Sequence, residues 1–197
     1  MRSALDLLYR ASGVAAAAFL AAIFLIVLVQ VAANLTDELV GWITGEPIGL
    51  VVPSYAEFAG FFLAASTFLA LAYTLRSGGH IRVLLIIQNL DGRPRRLLEL
   101  WCLAVAASLV GYFTFYTFFL VAESFTFGDL SYGMVPVPLW LPQTAVAVGL
   151  LVLTVALVDE FVAVLRGRRP SYQDAATELS EAGPSAPAPG SGGGATD

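Results

Sequence analysis

The side chains with chemistry to offer are few: one histidine, His80, one cysteine, Cys102, and the carboxylates Glu57, Glu99, Glu123, Asp159 and Glu160, which border or enter long apolar stretches. Carboxylates or histidines deep inside such stretches would mark an ion or proton path through a bilayer. A single histidine cannot supply paired haem ligands or a His-rich metal site. A single cysteine excludes an intramolecular disulfide and a paired-thiol relay, and Cys102 reads as a small, buried, inert thiol. The carboxylates gather at the ends of the apolar stretches. Glu99 begins one, a turn from Arg95 and Arg96, where an intrahelical ion pair is the simplest reading, and Glu123 ends the same stretch. Asp159 and Glu160 stand six to ten residues before Arg166 and Arg169. Glu57 sits deepest, about one helical turn in, and reads as a packing or subunit contact rather than a transport residue. With no charge near the middle of any stretch, no catalytic, metal-binding, cofactor-binding or substrate-binding residue is expected.

The elements that carry these residues follow from hydropathy and charge. Of 197 residues, 58% are hydrophobic and 13% charged, and the mean hydropathy is +0.79, far from the balance of a soluble domain. Four stretches are long enough to cross the ~30 Å hydrocarbon core as helices: roughly Gly13–Asn34, Pro53–Leu75, Leu97–Val121 and Leu139–Leu165. All ten basic residues are arginines, confined to three segments: Arg2 and Arg10; Arg76, Arg82, Arg93, Arg95 and Arg96; and Arg166, Arg168 and Arg169. By the positive-inside rule both termini and the middle connection are cytoplasmic, and the two arginine-free connections face outward. The arginines orient helices and meet lipid headgroups, so nucleic acid is not an expected partner and the lipid bilayer is. Arg2 and Arg10 followed by Val31-Ala32-Ala33 resemble a signal peptide and its cleavage site, but an apolar run of about twenty residues exceeds the usual ~7–15, which favours a retained helix.

The fold class expected is therefore an all-α integral membrane protein with four transmembrane helices. A short amphipathic helix should lie in the membrane plane between the second and third. That segment, His80–Leu90, would span only ~16 Å, too little to cross; Arg82 and Asn89 fall together on its wheel, and Gly78-Gly79 and Gly92–Pro94 bound it. His80, beside that glycine break, reads as a helix-end or headgroup contact. Small residues at four-residue spacing (Gly13, Ala17 and Ala21; Ala107 and Gly111; Ala145 and Gly149) suit close helix approach in lipid. Gly41, Gly45 and Gly49 read instead as turns in an outer connection. Trp140, and similarly Trp42, are placed as interfacial anchors, and Pro136, Pro138 and Pro142 fix the start of the last helix. Residues 1–170 form the membrane domain. Residues 171–197, rich in Pro, Gly and Ser, should form a disordered cytoplasmic tail.

The run Arg76-Ser77-Gly78-Gly79-His80-Ile81-Arg82-Val83, followed by a short apolar helix and a further span, resembles the small membrane subunit, DctQ type, of tripartite ATP-independent periplasmic (TRAP) transporters. Glu57 near the outer end of the second span, Gln30-Val31 at the end of the first and Pro138-Leu139-Trp140 at the start of the last fit the same pattern. Leu84, Asn34 and Ala147 depart from it: the family often has an acidic residue, an arginine and a proline at these respective places. The resemblance covers about Leu5 to Arg169. It implies a non-catalytic small permease subunit of a sodium-coupled secondary importer of organic acids, dicarboxylates among them, in the bacterial inner membrane. It also implies that the subunit scaffolds a large permease subunit served by a periplasmic solute-binding protein. Glu57, His80, Arg82 and Trp140 are then the candidate subunit or lipid contacts. The alternative is a generic four-helix partner or anchor protein of another complex. A small multidrug exporter would want an acid deep in the first span, and a haem or quinone anchor would want cysteines or paired histidines; the chain has neither.

Overall fold

The computed structural model describes residues 2–46, 48–77 and 93–166. These form four helices, α1 (Arg2–Thr44), α2 (Tyr55–Arg76), α3 (Arg93–Phe127) and α4 (Trp140–Leu165). Each is long and apolar enough to cross a membrane. The only β pairing among the described residues is an isolated antiparallel bridge between Leu130 and Pro138. The chain is thus an all-α, multi-pass membrane protein. The expected in-plane helix at His80–Leu90, with His80 and Arg82, lies outside the described residues, as does the tail from residue 171.

The limits of α2 and α4 match the sequence expectation, whereas α1 and α3 run well beyond it. At 1.5 Å per residue α1 is ~65 Å long and α3 ~52 Å, against the ~30 Å the hydrocarbon requires. Helical hydrogen bonding continues through the polar residues Asn34, Thr36, Asp37 and Glu38 to Thr44. Gly41 is therefore helical and not part of a turn. The helix stops at Gly45, whose φ of +83° is the left-handed conformation glycine adopts without penalty, and whose N–H bonds Gly41 O at 2.9 Å. The chain then doubles back along the helix it has just left. Asp37 Oδ1 accepts from the Gly49 N–H at 2.7 Å, and Gln30 Oε1 accepts from the Val52 N–H at 2.9 Å.

In space the helices follow the order α1, α2, α4, α3. α1 packs along α2, α2 along α4 and α4 along α3, while α1 touches α4 only lightly. The core cluster joins Tyr9 of α1, Ala72 and Leu75 of α2, Leu103 of α3, and Val152, Ala156, Leu157 and Val164 of α4. It lies toward the end of the molecule that carries Arg10, Arg76, Arg96 and Arg166.

Lipid supplies no hydrophobic drive between helices, so close fit and hydrogen bonds must hold them together. Both are present. At Gly149 the α4 backbone lies against α2: a Cβ there would be 2.6 Å from Phe68 C and 2.8 Å from Phe68 O. Gly13 seats the Tyr73 ring, whose Cγ would be 2.9 Å from an added Cβ, and Gly111 faces Thr154 of α4. Ala17 and Ala21 do not belong to this packing, since both are exposed. The α1 seam runs instead through Tyr9, Ser12, Gly13, Ala16 and Gln30. The Ser12 hydroxyl donates to Leu69 O, and Ser66 donates to Ala16 O at 2.9 Å, stitching α1 to α2 in both directions. Thr114 and Thr154 share a 2.9 Å hydrogen bond between α3 and α4.

Candidate functional site

Polar side chains concentrate at the two ends of the helix row. At the arginine-bearing end Arg76, in the last turn of α2, lies between two acids from other helices: Asp6 of α1 at 2.5 Å and Asp159 of α4 at 3.6 Å. Its guanidinium carbon also sits 5.2 Å from the centre of the Tyr9 ring, within cation–π range. One arginine therefore ties three helices at one level. A cavity of about 300 Å³ opens beside it, lined by Asp6, Tyr9, Arg10, Tyr73, Arg76 and Ser77. Arg96 reaches from α3 to the Leu165 carbonyl at 2.8 Å and so binds α3 to the end of α4. Glu99 and Glu160 are buried at the same end and are partnered. The side chain of Arg95, the other expected partner of Glu99, lies outside the described residues.

At the opposite end the connection between α3 and α4 folds into an ordered flap over the start of α2. The Val137 N–H donates to Ser131 Oγ at 3.0 Å, the Ser131 N–H to Val137 O at 2.9 Å and the Leu139 N–H to Asp129 O at 3.0 Å. The flap is fastened down by Ser54, whose hydroxyl oxygen accepts from the Val135 N–H at 2.9 Å. Glu57 occupies the first turn of α2, as expected. Its Oε2 is buried with no hydrogen-bond partner among the described residues, and it lies against Gly133 so closely that a Cβ there would be 2.7 Å from its carboxyl carbon. Trp140 opens α4 and packs edge-on against Phe125 of α3, ring centres 5.6 Å apart. The tip of the flap leaves Tyr132 and Met134 exposed.

The polar groups at both ends tie helices and connections to one another. Among the described residues no three His, Cys, Asp or Glu side chains come together as a metal site. No charged residue falls between Arg10 and Asp37, between Glu57 and Arg76, between Glu99 and Glu123, or between the start of α4 and Asp159.

Residues 49–167, more than half of the chain, match the family model of the tripartite ATP-independent periplasmic transporters, DctQ component. The chain belongs to the DctQ family. The match takes in α2, α3 and α4 and the connections between them; α1, but for the connection that follows it, lies before it. Neither the curated proteins nor the solved structures gave a match. As a DctQ chain the protein is the small component of a TRAP transporter.

Sequence reasoning placed Glu57 and Trp140 correctly along their helices but missed the Asp6–Arg76–Asp159 cluster and the hydroxyl stitches. The signal for the cluster was in hand: the topology puts Asp6, Arg76 and Asp159 at the same end. What it lacked was the lateral order of the helices. Ser12, Ser66, Thr114 and Thr154 carried no comparable signal, because hydroxyls in apolar helices more often bond their own backbone.

Proposed function

We propose that this DctQ chain is the non-catalytic small permease subunit of a sodium-coupled TRAP importer of organic acids, with dicarboxylates as the leading substrate class. It scaffolds the large permease subunit in the bacterial inner membrane and works with a periplasmic solute-binding protein. The observation that carries this reading is the charge-free middle of all four helices, together with the family. A chain that moved an anion and sodium by itself would need polar groups at membrane depth to replace their hydration shells, and these helices place their charges at the ends.

Within this reading Glu57 braces the outer end of the subunit and is a contact for the assembly, not a sodium ligand. A carboxylate that belongs to no cluster of three His, Cys, Asp or Glu side chains among the described residues is a poor cation cage, since sodium-like and harder cations want several oxygen ligands. The arginine distribution supports an orientation with both termini cytoplasmic and the Ser131–Pro138 flap periplasmic. The test is co-expression with a large TRAP permease subunit from the same organism: the two should purify as one complex, and reporters fused after residues 93 and 169 should both read cytoplasm. Separate elution of the two chains, or a periplasmic reporter signal at either site, would overturn the corresponding part.

A further inference from the structure

The outermost helices of the row present different faces to whatever surrounds them. The outward residues of α1 within its span are Val14, Leu20, Phe24, Leu25, Val27, Leu28, Val29 and Val31, all apolar, and its one polar residue between Gly13 and Asn34, Gln30, is buried. That surface matches lipid. The outward face of α3 is mixed: exposed Trp101, Val105, Leu109 and Phe119 are apolar, but polar groups stand among them. Ser108, Tyr112 and Tyr116 follow one another at four-residue spacing, all exposed, with Glu123 on the same side. At about 100° per residue these four fall within an arc of about 80°. The residues of α3 that meet α4, among them Leu103, Gly111 and Thr114, lie on the other side of the helix. The Tyr112 and Tyr116 rings touch at a tilt of 47°, centres 4.6 Å apart, and among the described residues neither hydroxyl makes a hydrogen bond.

Depth makes the stripe informative. Along the helix axis Tyr112 lies ~24 Å from Arg96 and ~16 Å from Glu123, and Tyr116 lies ~10 Å from Glu123. Both rings therefore fall within a hydrocarbon layer ~30 Å thick set between those charges. Tyrosine in a membrane protein prefers the headgroup level, where its hydroxyl is hydrated. Side chains on a helix lean toward its N-terminus, here the arginine-bearing end, so neither hydroxyl leans toward the nearer headgroups beyond Glu123. Facing lipid, the two phenols, too long to turn back to their own backbone as a serine can, would lack partners in a medium that offers none.

We infer that the Ser108–Tyr112–Tyr116 face of α3 is the seam against which a helix of the large permease subunit packs, with hydrogen-bond acceptors facing the two tyrosines, while α1 at the far end of the row faces lipid. The inference rests on the subunit role proposed above and names the surface that role uses. An acceptor-bearing helix satisfies the phenols, and Ser108 leaves room for a close approach beside them.

Benzophenone cross-linking in the intact complex in native-like membranes tests it. The photoreactive p-benzoylphenylalanine is placed at Leu109 or Phe119, which flank the stripe and leave its hydroxyls in place, and at Phe24 or Leu28 on α1. The two α3 positions should cross-link to the large subunit and the two α1 positions to lipid alone. Tyr112→Phe and Tyr116→Phe keep the rings and should each weaken association by about threefold, the size of one interhelical hydrogen bond in lipid; Leu25→Ala on α1 should leave it unchanged. Cross-links from α3 only to lipid, cross-links only to a second copy of this chain, or unaltered association of the double variant would overturn the seam while the unsubstituted chain still co-purifies with the large subunit. Failure of the unsubstituted chain to co-purify would overturn the subunit role itself.

Discussion

Replacing Gly149 with alanine places a methyl group where α4 rests on the backbone of α2. The added Cβ would stand 2.6, 2.8 and 2.9 Å from Phe68 C, Phe68 O and Leu69 N. Carbon atoms pack comfortably at ~3.5 Å or more, so the helices must part by nearly an ångström. None of the three atoms is the mobile end of a side chain. The separation would loosen Ala147, Leu150 and Leu69, all buried along this seam. Overpacking of a tight core costs about 1–3 kcal/mol, here toward the upper end because backbone is the obstacle. Alanine returns up to ~1 kcal/mol of helix propensity, leaving a net loss of about 2 kcal/mol. Two other helical glycines serve as internal standards. An added Cβ at Gly60 meets nothing within 4 Å, and one at Gly111 meets Thr154 Cγ2 at an ordinary 3.8 Å. Thermal unfolding of the detergent-solubilised protein should therefore show Gly149→Ala lowered by about 4–8 °C on the usual scaling for a chain of this size. Gly60→Ala and Gly111→Ala should stay within a degree or two of the parent or above it. Equal stability of the three variants would refute the claim that α2 and α4 meet backbone to backbone.

Removing the Arg76 charge with Arg76→Gln should cost about 1 kcal/mol or less, because its partners are partly exposed and screened; a double-mutant cycle with Asp6→Asn should show coupling, and strict additivity would rule out the ion pair. Ser54→Ala should free the Val135 N–H and speed hydrogen exchange across residues 131–137 while the helices stay protected; unchanged exchange would mean the flap is held by something else. Glu57→Gln should lower complex stability or transport rate yet leave the sodium dependence of the remaining transport unaltered, and a selective change in sodium affinity would contradict its bracing role. Gly133→Ala should displace the flap from Glu57 and produce the same phenotype as Glu57→Gln; parent-like behaviour would argue against the contact.

Hydropathy and charge disclosed the number of spans, the limits of α2 and α4, and the clustering of carboxylates at helix ends. Those features depend on solvation, which a residue carries with it. The lengths of α1 and α3 were not legible, because a helix ends where its backbone hydrogen bonding ends and not where its side chains turn polar. Asp37 and Glu38 continue α1 outside the apolar layer, and only Gly45 stops it. The α1 packing face was misjudged for a related reason: alanine is common throughout such helices, so Gly13, Ala17 and Ala21 imitate a seam that the structure runs through Ser12, Gly13 and Ala16. Contacts such as Asp6 with Arg76, or Glu57 with Gly133, depend on which helices are neighbours, and short connections alone do not fix the order α1, α2, α4, α3. Tyr112 and Tyr116 lie among so many phenylalanines that their four-residue spacing becomes conspicuous only once the opposite side of α3 is known to face α4.

The most direct test of the account is reconstitution into proteoliposomes with an inward sodium gradient. Liposomes holding this chain alone should take up no organic acid. Liposomes holding it with the large permease subunit, supplied with the solute-binding protein and a panel of dicarboxylates and related acids, should show uptake that collapses when the sodium gradient is removed. Robust uptake by this chain alone would contradict the subunit account and direct the search for a coupling site to Glu57 and Glu123.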